Sequence, residues 1–296
     1  MQIKINWNFS KITRCIFYEN GNSLIGGTKK GSFFIYKMFE KKISFCNSYK
    51  FCIKYMLIEA GSLYAIFSDG KCRMINLEKF KCLNTFQSYQ NNDIQDIDCY
   101  EKIMVTTDNK GMIKLWDTRI KTYFESIYYN FFGVKITKFL HKSFTLIASN
   151  RLSEIFIWDI RKIQKPGKML CNKNKQNILI NAISISKNRK FFFLCDIKNN
   201  FFQCYMNSQS IKYRAFEKIS TFQTNVKKQL SSDEKNNFIG YGDYRGNIFI
   251  WCQTTGKLIY NSAETYGKIS CFSFHPIDKL FCICRNEGDV LIKKFL

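Results

Sequence analysis

A phrase that recurs about every forty residues constrains this chain more than any other feature of its sequence. Its clearest copy, residues 108–119, reads DNKGMIKLWDTR: a polar turn with a glycine, apolar residues at alternate positions, and a closing Trp-Asp pair. The phrase returns at residues 149–161, SNRLSEIFIWDIR, and at residues 242–253, GDYRGNIFIWCQ. A period of two predicts a β-strand, and the preceding turn predicts that this strand is the second arm of a hairpin.

Weaker copies of the phrase fill the rest of the chain at spacings of 39 to 47 residues. The position that ends each copy falls on Tyr36, Ile75, Trp116, Trp158, Tyr205, Trp251 and Lys293. Five positions earlier lie Gly31, Gly70, Gly111, Ser153, Asn200, Gly246 and Gly288. Glycine adopts a positive φ without steric strain and asparagine tolerates it, so this position is predicted to end a tight turn, with Ser153 as the exception.

A repeat of this length with four strands and a Trp-Asp ending resembles the WD-repeat β-propellers. The resemblance implies an all-β fold, a seven-bladed WD40-type β-propeller that spans residues 1–296 as a single domain. Residues 2–6 alternate in polarity ahead of the first repeat, and the last repeat lacks a fourth strand. We therefore expect the N-terminal strand to complete the last blade and so remove two exposed sheet edges. Residues 164–177 are predicted to be a loop, and residues 208–228 a lengthened outer strand or an extra loop.

One expected part of a WD repeat is missing from the sequence. Members of the class usually carry a Gly-His pair, whose histidine hydrogen-bonds to an aspartate in the hairpin turn. This chain has two histidines, His141 and His275, and both lie at other positions. We therefore predict that the network is absent and that the blades rest mainly on apolar packing.

Residues that could perform catalysis or bind a metal are scarce. No histidine shares a pattern with a nucleophile and an acid, and no glycine-rich phosphate loop or zinc-protease motif occurs. The thirteen cysteines include no Cys-x-x-Cys pair and mostly lie within apolar strand patterns, which is typical of reduced, buried thiols. Cys282 and Cys284 are predicted to lie on one face of a strand, but as a metal half-site they have no partner pair. The sequence predicts a protein that is not an enzyme and needs no cofactor or metal.

The sequence also bears on where the protein acts. No apolar run is long enough for a membrane helix, and the N-terminus lacks the hydrophobic core of a secretion signal. We expect a soluble protein of the nucleus, or otherwise of the cytoplasm, with no membrane or small-molecule partner.

The net charge of +23 comes from 46 Lys and Arg residues against 23 Asp and Glu residues. Cations fall on the hairpin between the second and third strand of every repeat. They are Lys29, Lys30, Lys71, Lys110, Arg151, Lys198, Arg245 and Arg285. Because a propeller places these hairpins on one face, we expect a basic rim that binds an acidic protein surface or RNA phosphate. The alternative is a composition biased toward Lys, Asn, Ile and Phe, and both interpretations stay open.

The order of several motifs resembles one WD-repeat family, the 40-kilodalton subunit of the U5 small nuclear ribonucleoprotein, which contacts a large Prp8-type protein. The motifs are KLWDTR at 114–119, IWDIR at 157–161, TTGKLIY at 254–260, GKIS at 267–270 and FHPID at 274–278, with a long interval before Trp251. The resemblance covers residues 103–296 and implies a non-enzymatic spliceosome scaffold in pre-mRNA splicing. The chain departs from this family in lacking the Gly-His pairs and an N-terminal extension.

Two other functions remain open at this point. The Trp-Asp-x-Arg boxes resemble those of substrate receptors of cullin-type ubiquitin ligases; they consist of Trp116, Asp117 and Arg119, and of Trp158, Asp159 and Arg161. The third function is a scaffold of a histone-modifying or mRNA 3'-end-processing complex. The proteins that co-purify with the chain would separate the three.

Overall fold

The structure is a computed structural model of the 296-residue chain. It describes residues 2–6, 10–88, 92–120, 122–128, 134–140, 144–150, 154–162, 168–169, 180–186, 188–196, 198–206, 211–219, 230–235, 237–262, 267–285 and 288–295. These residues form β-strands and one short 3₁₀ turn, Glu19–Gly21. Within the same ranges there is no helix of the length and apolar character that crossing a membrane requires.

The strands form four-stranded antiparallel sheets, here called blades and numbered along the chain. Strand β1 (Gln2–Asn6) precedes blade one, which comprises β2 (Ile12–Tyr18), β3 (Ser23–Thr28), β4 (Ser32–Lys37) and β5 (Lys42–Ser48). Blade two comprises β6 (Ile53–Glu59), β7 (Ser62–Phe67), β8 (Cys72–Asn76) and β9 (Cys82–Phe86). Blade three comprises β10 (Ile94–Tyr100), β11 (Ile103–Asp108), β12 (Met112–Asp117) and β13 (Tyr123–Tyr128). Blade four comprises β14 (Val134–Leu140), β15 (Thr145–Asn150), β16 (Ile155–Asp159) and β17 (Lys168–Met169).

The remaining three blades follow the same plan. Blade five comprises β18 (Ile180–Ile185), β19 (Phe191–Asp196), β20 (Phe201–Met206) and β21 (Ile211–Ala215). Blade six comprises β22 (Leu230–Ser232), β23 (Phe238–Gly242), β24 (Ile248–Cys252) and β25 (Leu258–Ser262). Blade seven comprises β26 (Ile269–Phe274), β27 (Leu280–Arg285), β28 (Asp289–Lys294) and, as its fourth strand, β1.

The predicted completion of blade seven by the N-terminal strand is confirmed. Strand β1 pairs antiparallel with β28, from Gln2 opposite Lys293 to Asn6 opposite Asp289. Ile5 is buried in a core that includes Val290. The outer edge of β28 is therefore covered by backbone hydrogen bonds.

In five of the blades, the residue predicted to end the hairpin turn has the expected positive φ. In the fifth blade along the chain, the prediction was wrong by one residue. The five turn glycines, Gly31, Gly70, Gly111, Gly246 and Gly288, have φ between 76° and 96°. In blade five the positive φ of 64° belongs to Asn199 and not to Asn200. The turn closes one residue earlier there, so Cys204 takes the position given to Tyr205 and pairs with Phe192. Ser153 lies outside the described residues.

Two predicted irregular segments contain strands. Within residues 164–177, predicted to be a loop, β17 pairs with β16 through Phe156–Met169 and Ile157–Lys168. Within residues 208–228, β21 is an outer strand of five residues, so it is not lengthened. Residues 220–229 lie outside the described residues. Both strands occur because the third strand of each sheet still offers a free edge.

The first strand of six blades begins with a register irregularity that the sequence did not reveal. The skipped positions are Thr13, Lys54, Gln95, Lys135, Asn181 and Ser270. An extra residue in one strand of an antiparallel pair bends that strand and redirects its side chains. The irregularity lies in each case beside the hairpin between the second and third strands.

The chain packs as two compact units. Unit one consists of residues 1–69, 75–81 and 227–296, and unit two consists of residues 70–74 and 82–226. In unit one, apolar cores lie around Leu24 and Cys284, around Phe33 and Phe67, and around Phe272 and Phe281. In unit two, the cores contain Leu115 and Trp158, and Phe192 and Ile180.

In unit one, side chains of the first strands hydrogen-bond to the first strands of neighbouring blades. Ser270 Oγ donates to the carbonyl of Thr13 at 3.2 Å, and Thr13 Oγ1 donates to that of Ile53 at 2.8 Å. Arg14 donates to the carbonyls of Lys54 and Ser270. A first strand is the edge of its sheet, so these bonds satisfy polar groups that its own sheet leaves unpaired.

In unit two, charged side chains make the hydrogen bonds between the first strands of neighbouring blades. Asp96 accepts from the backbone N–H of Thr137 at 3.1 Å and from Lys138 Nζ at 2.9 Å. Asp98 accepts from the N–H of Phe139 at 2.8 Å. Arg189 donates to two backbone carbonyls of the neighbouring first strands. The first strands of blades three and four are thereby joined by a largely buried polar network.

Candidate functional site

The hairpin between the second and third strand of a blade is built on one repeated hydrogen bond. The first residue of the turn accepts, through its side-chain oxygen, the backbone N–H four residues later, at 2.7 to 3.0 Å. These acceptors are Thr28, Asp108, Asn150, Asp196 and Asp243, and all of them are buried. The acidic groups of these turns therefore point into the blade, and the residues at the tip point outward.

Blade three keeps more of the WD-repeat network than the sequence predicted. Ser88 Oγ donates to Asp108 Oδ2 at 2.6 Å, and Trp116 Nε1 donates to Thr106 Oγ1 at 2.8 Å. The prediction that the network is absent was therefore wrong for this blade, because a serine binds the turn aspartate where a histidine was sought. A hydroxyl ahead of the first strand was the signal, but such residues are too common to stand out.

Blade seven reverses the polarity of the turn. Arg285 occupies the first turn position and donates two hydrogen bonds to Asp289, one of them at 2.7 Å. Lys4 Nζ lies 3.3 Å from the same carboxylate. Burial raises the pKa of Asp289, but Arg285 and Lys4 outweigh it and hold the pKa below its usual value. The side chains of Arg285 and Asp289 are only 12% and 8% exposed, so Arg285 is a paired structural cation and not the exposed rim cation that was predicted.

The other predicted rim cations fall into three groups. In unit one, Lys29, Lys30 and Arg245 are exposed at hairpin tips. In unit two, Lys110 and Lys198 are exposed at theirs, and Lys71 is half-buried. Arg151 lies outside the described residues. Within each unit the hairpins thus present positive charge, while the binding role of these residues stays a prediction.

The two Trp-Asp-x-Arg boxes, both in unit two, have the same geometry. Trp116 and Trp158 are buried, as predicted. The carboxylate of Asp117 accepts from the backbone N–H of Arg119 at 2.9 Å and from its guanidinium. The corresponding bonds from Arg161 to Asp159 are 3.0 and 2.9 Å long. Each arginine is thus fixed by its own aspartate at the end of the third strand.

The ion pairs of the boxes lie on the surface. Hydrogen bonds from Arg119 and Arg161 lower the pKa of Asp117 and of Asp159 to about 2 in each case. Arg161 lies over the ring of Phe144 at 5.2 Å. Apolar side chains are exposed around the boxes; they are Ile120, Tyr123, Phe124 and Phe144. Arginines held beside exposed apolar groups are suited to contact another protein.

Several of the described side chains that could perform chemistry make structural contacts. Among the described residues, no group of three or more His, Cys, Asp or Glu side chains is arranged to hold a metal ion. Cys15, Cys271, Cys282 and Cys284 are free and buried, as predicted, and burial raises the pKa of Cys15 to about 11. His275 Nδ1 accepts the backbone N–H groups of Ile277 and Asp278, at 3.2 and 2.9 Å, which is the predicted turn role. His141 lies outside the described residues.

Comparison with known proteins identifies the fold. No family profile matches this sequence, and no curated protein matches it. Among solved structures, the Cps50 (Swd1) β-propeller domain of Myceliophteria thermophila is similar, with a TM-score of 0.81 at 12% sequence identity over 100% of each chain. The chain is therefore a seven-bladed β-propeller of the WD40-like type. At this identity the similarity establishes the fold alone.

Proposed function

We propose that this chain is a non-catalytic scaffold subunit of a nuclear RNA–protein assembly of the U5 type, in which it binds a large Prp8-like protein. The proposal is carried by the hairpin tips. Lys30, Lys110, Lys198 and Arg245 are exposed, while the turn carboxylates are buried. Each tip therefore offers positive charge without a competing surface acid in its own turn, which suits an acidic partner surface.

Two further observations support the proposal. The propeller fold is typical of WD-repeat scaffolds that join several proteins. The order of the motifs after residue 103, taken from the sequence, resembles that of the U5 subunit. The nuclear location belongs to the same proposal.

Charge reversal tests this function. Lys30→Glu, Lys110→Glu and Lys198→Glu, combined in the full chain, should reduce recovery of the Prp8-like protein and U5 RNA, and the reduction should shrink as salt rises, because salt screens the charges that the variant changes. Loop tips bury little surface, so the fold should remain intact. The matched control is Lys79→Glu, Lys102→Glu and Lys257→Glu, three exposed lysines at the other ends of their blades. Equal losses in both sets would show that only bulk charge matters and would reject the hairpin tips as the binding residues.

The identical geometry of the two Trp-Asp-x-Arg boxes favours a second candidate, a substrate receptor of a cullin-type ubiquitin ligase. Arg119→Ala with Arg161→Ala should then abolish recovery of a ligase adaptor and leave U5 components unaffected. Recovery of a methyltransferase or of 3'-end-processing factors would instead point to the third scaffold function. Because each function has its own co-purifying proteins, one affinity purification with these variants separates them.

A further inference from the structure

The hairpin side of unit one combines exposed cations with exposed aromatic rings. The Phe51 cluster consists of Lys29, Lys30, Lys50, Phe51 and Lys54. The Tyr244 cluster consists of exposed Tyr244 and Arg245 and of half-buried Lys268. Phe51 is 41% exposed and Tyr244 is 57% exposed. Large rings that remain this open among cations call for an explanation beyond the fold.

In the Phe51 cluster, the hairpin of blade one packs against the segment that leads into β6. The N–H of Tyr49 donates to the carbonyl of Gly31 at 3.0 Å. Gly31 has a φ of +85°, and a Cβ there would lie 2.5 Å from the carbonyl oxygen of Phe51, so only glycine permits this approach. The backbone of Phe51 is thereby held beside the tip that carries Lys29 and Lys30.

The neighbouring thiol shows how closely the cations gather. Burial raises the pKa of Cys52, and the positive charges of Lys29, Lys54 and Arg14 oppose that rise. Three cations from blades one and two therefore act on the residue that follows Phe51. Lys54 is exposed at the irregular position of β6.

The Tyr244 cluster is also held in place. Lys268 Nζ lies 5.2 Å from the centre of the Tyr244 ring. The N–H of Ile269 donates to the carbonyl of Asp243 at 3.1 Å and so binds the segment carrying Lys268 to the hairpin of blade six. The Asp243 carboxylate is buried and accepts from the backbone N–H groups of Arg245 and Asn247. Its charge is therefore turned away from the surface.

Both clusters lie at the same end of the strands of unit one. The hairpins of blades six and seven bond to the starts of β26 and β2 through Ile269 N–H and Ile12 N–H. The first strands β26, β2 and β6 are linked in turn through Ser270 and Thr13. Among the described residues at this end, Asp289 is buried against Arg285, and Asp69 is half-buried.

We propose that the Phe51 and Tyr244 clusters bind single-stranded nucleic acid, with phosphates on the lysines and bases stacked on the two rings. The cations alone account for binding an acidic surface, whereas a single strand uses both the cations, for its phosphates, and the rings, for its bases. Exposed rings interleaved with cations are the arrangement that binds single strands with little sequence preference. The proposed function enters only in the choice of RNA over DNA as the natural strand.

Fluorescence anisotropy of the full chain with a labelled uridine-rich RNA of about 15 nucleotides tests the site. Phe51→Ala with Tyr244→Ala should weaken binding about tenfold or more while leaving its salt dependence unchanged. Lys29→Ala with Lys30→Ala should flatten the slope of log affinity against log salt by about 0.7 per lysine. The controls are Phe39→Ala, a ring 84% exposed at the other end of blade one, and Lys41→Ala with Lys257→Ala. The same measurement with a DNA strand of the same sequence shows whether the site prefers RNA or DNA.

A second measurement uses Cys52 as a reporter. Alkylation of this half-buried thiol by a neutral maleimide should slow when RNA is bound, whereas alkylation of half-buried Cys252, at the far end of blade six, should not. Equal protection of both thiols would mean that the strand does not lie at the clusters.

Three results would overturn the proposal. The first is that neither RNA nor DNA binds, and the second is that Phe39→Ala weakens RNA binding as much as the cluster variants do. The third is that polyglutamate displaces the RNA while Phe51→Ala with Tyr244→Ala binds RNA as tightly as the unchanged chain does. The last result would assign the clusters to an acidic protein. If RNA binding fails but charge reversal still lowers recovery of the Prp8-like protein, the proposed function stands without this site. If RNA binds at the clusters while that recovery is unaffected, the site stands and the proposed function fails.

Discussion

Blade three and blade seven hold the same hairpin with opposite chemistry. In blade three, Asp108 begins the turn and accepts from Ser88 and from two backbone N–H groups. In blade seven, Arg285 begins the turn and donates to Asp289. The third strands differ as well, since Trp116 pairs with Met104 where Lys293 pairs with Phe281.

The difference shows what the repeat requires of each position. Both turns close on a glycine with a positive φ, 94° at Gly111 and 96° at Gly288. Both also place a buried polar bond between the first turn residue and the start of the third strand. The backbone geometry is therefore the constant, and the charges can be exchanged provided that a donor still meets an acceptor.

The largest effect should come from removing residues 1–6, because blade seven takes its outer strand from the start of the chain. The truncated chain would expose the edge of β28 and the core around Val290. We expect loss of the cooperative thermal transition and aggregation, measured by calorimetry and light scattering. Lys4→Ala in the full chain controls for the loss of the charge alone. An unchanged melting temperature in the truncated chain would contradict the role of β1.

The next largest loss of stability should come from replacing the tryptophan of blade three, Trp116, whose position in blade seven is occupied by Lys293. Trp116 is buried between Phe86 and Tyr123, with ring centres 5.3 and 5.6 Å from its own. Trp116→Ala should destabilise the protein by about 3–5 kcal/mol, because it leaves a cavity and an unbonded Thr106 hydroxyl.

Changing Lys293, which is also buried, to alanine should cost less, about 1–3 kcal/mol, because its side chain is smaller than that of tryptophan. Urea unfolding measures both values. Similar losses at the two positions would show that blade seven depends on Lys293 as strongly as blade three depends on Trp116.

The third prediction concerns blade seven, where Arg285 occupies the first turn position and pairs with Asp289. Arg285→Ala leaves Asp289 buried with one remaining cation and should destabilise by about 2–3 kcal/mol at neutral pH. The double change Arg285→Asp with Asp289→Asn recreates the pair formed in blade six by Asp243 and Asn247, and it should recover most of that loss. A double variant no more stable than Arg285→Ala would show that the two solutions are not interchangeable.

The same pair predicts a dependence on pH. The pKa of Asp289 is lowered in the folded protein, so the stability it contributes is fully present above the unfolded value of about 3.9. That contribution is lost as the pH falls through the folded pKa. Arg285→Ala should therefore lose less stability than the unchanged chain when the pH falls from about 5 to about 2. Denaturant titrations across that range measure the difference.

Much of the fold could be predicted because its signals are local. The glycine at each turn and the alternation after it located six of the seven third strands in register. Blade five was misplaced by one residue, since Asn199 and Asn200 are equally suited to a positive φ in sequence terms. The irregular starts of the first strands stayed hidden because they depend on neighbouring blades and not on local pattern.

The candidate site was less predictable, because a charge in a sequence does not reveal its partner. In the sequence Arg285 resembles the other hairpin cations, but in the structure it donates a hydrogen bond to Asp289, four residues later. Ser88 could not be told from other hydroxyls. Phe51 gave no signal as a surface ring because its place beside Gly31 depends on how the hairpin of blade one packs against the segment before β6.

The smallest effect should come from the surface ion pair of the blade-three box, compared with the buried pair of blade seven. Arg119→Ala should leave the melting temperature nearly unchanged, because exposed pairs are screened by water and salt. The carboxyl of Asp117 should nevertheless respond. Its pKa of about 2 is held down by hydrogen bonds from Arg119, so it should rise toward the ordinary value of about 3.9 in the variant. Carbon NMR of the carboxyl group during an acid titration measures this, with Asp159, whose Arg161 is untouched, staying at about 2 as the internal control. A large loss of stability would mean that the box supports the blade, whereas an unmoved pKa would mean that Arg119 does not hold the carboxylate in solution.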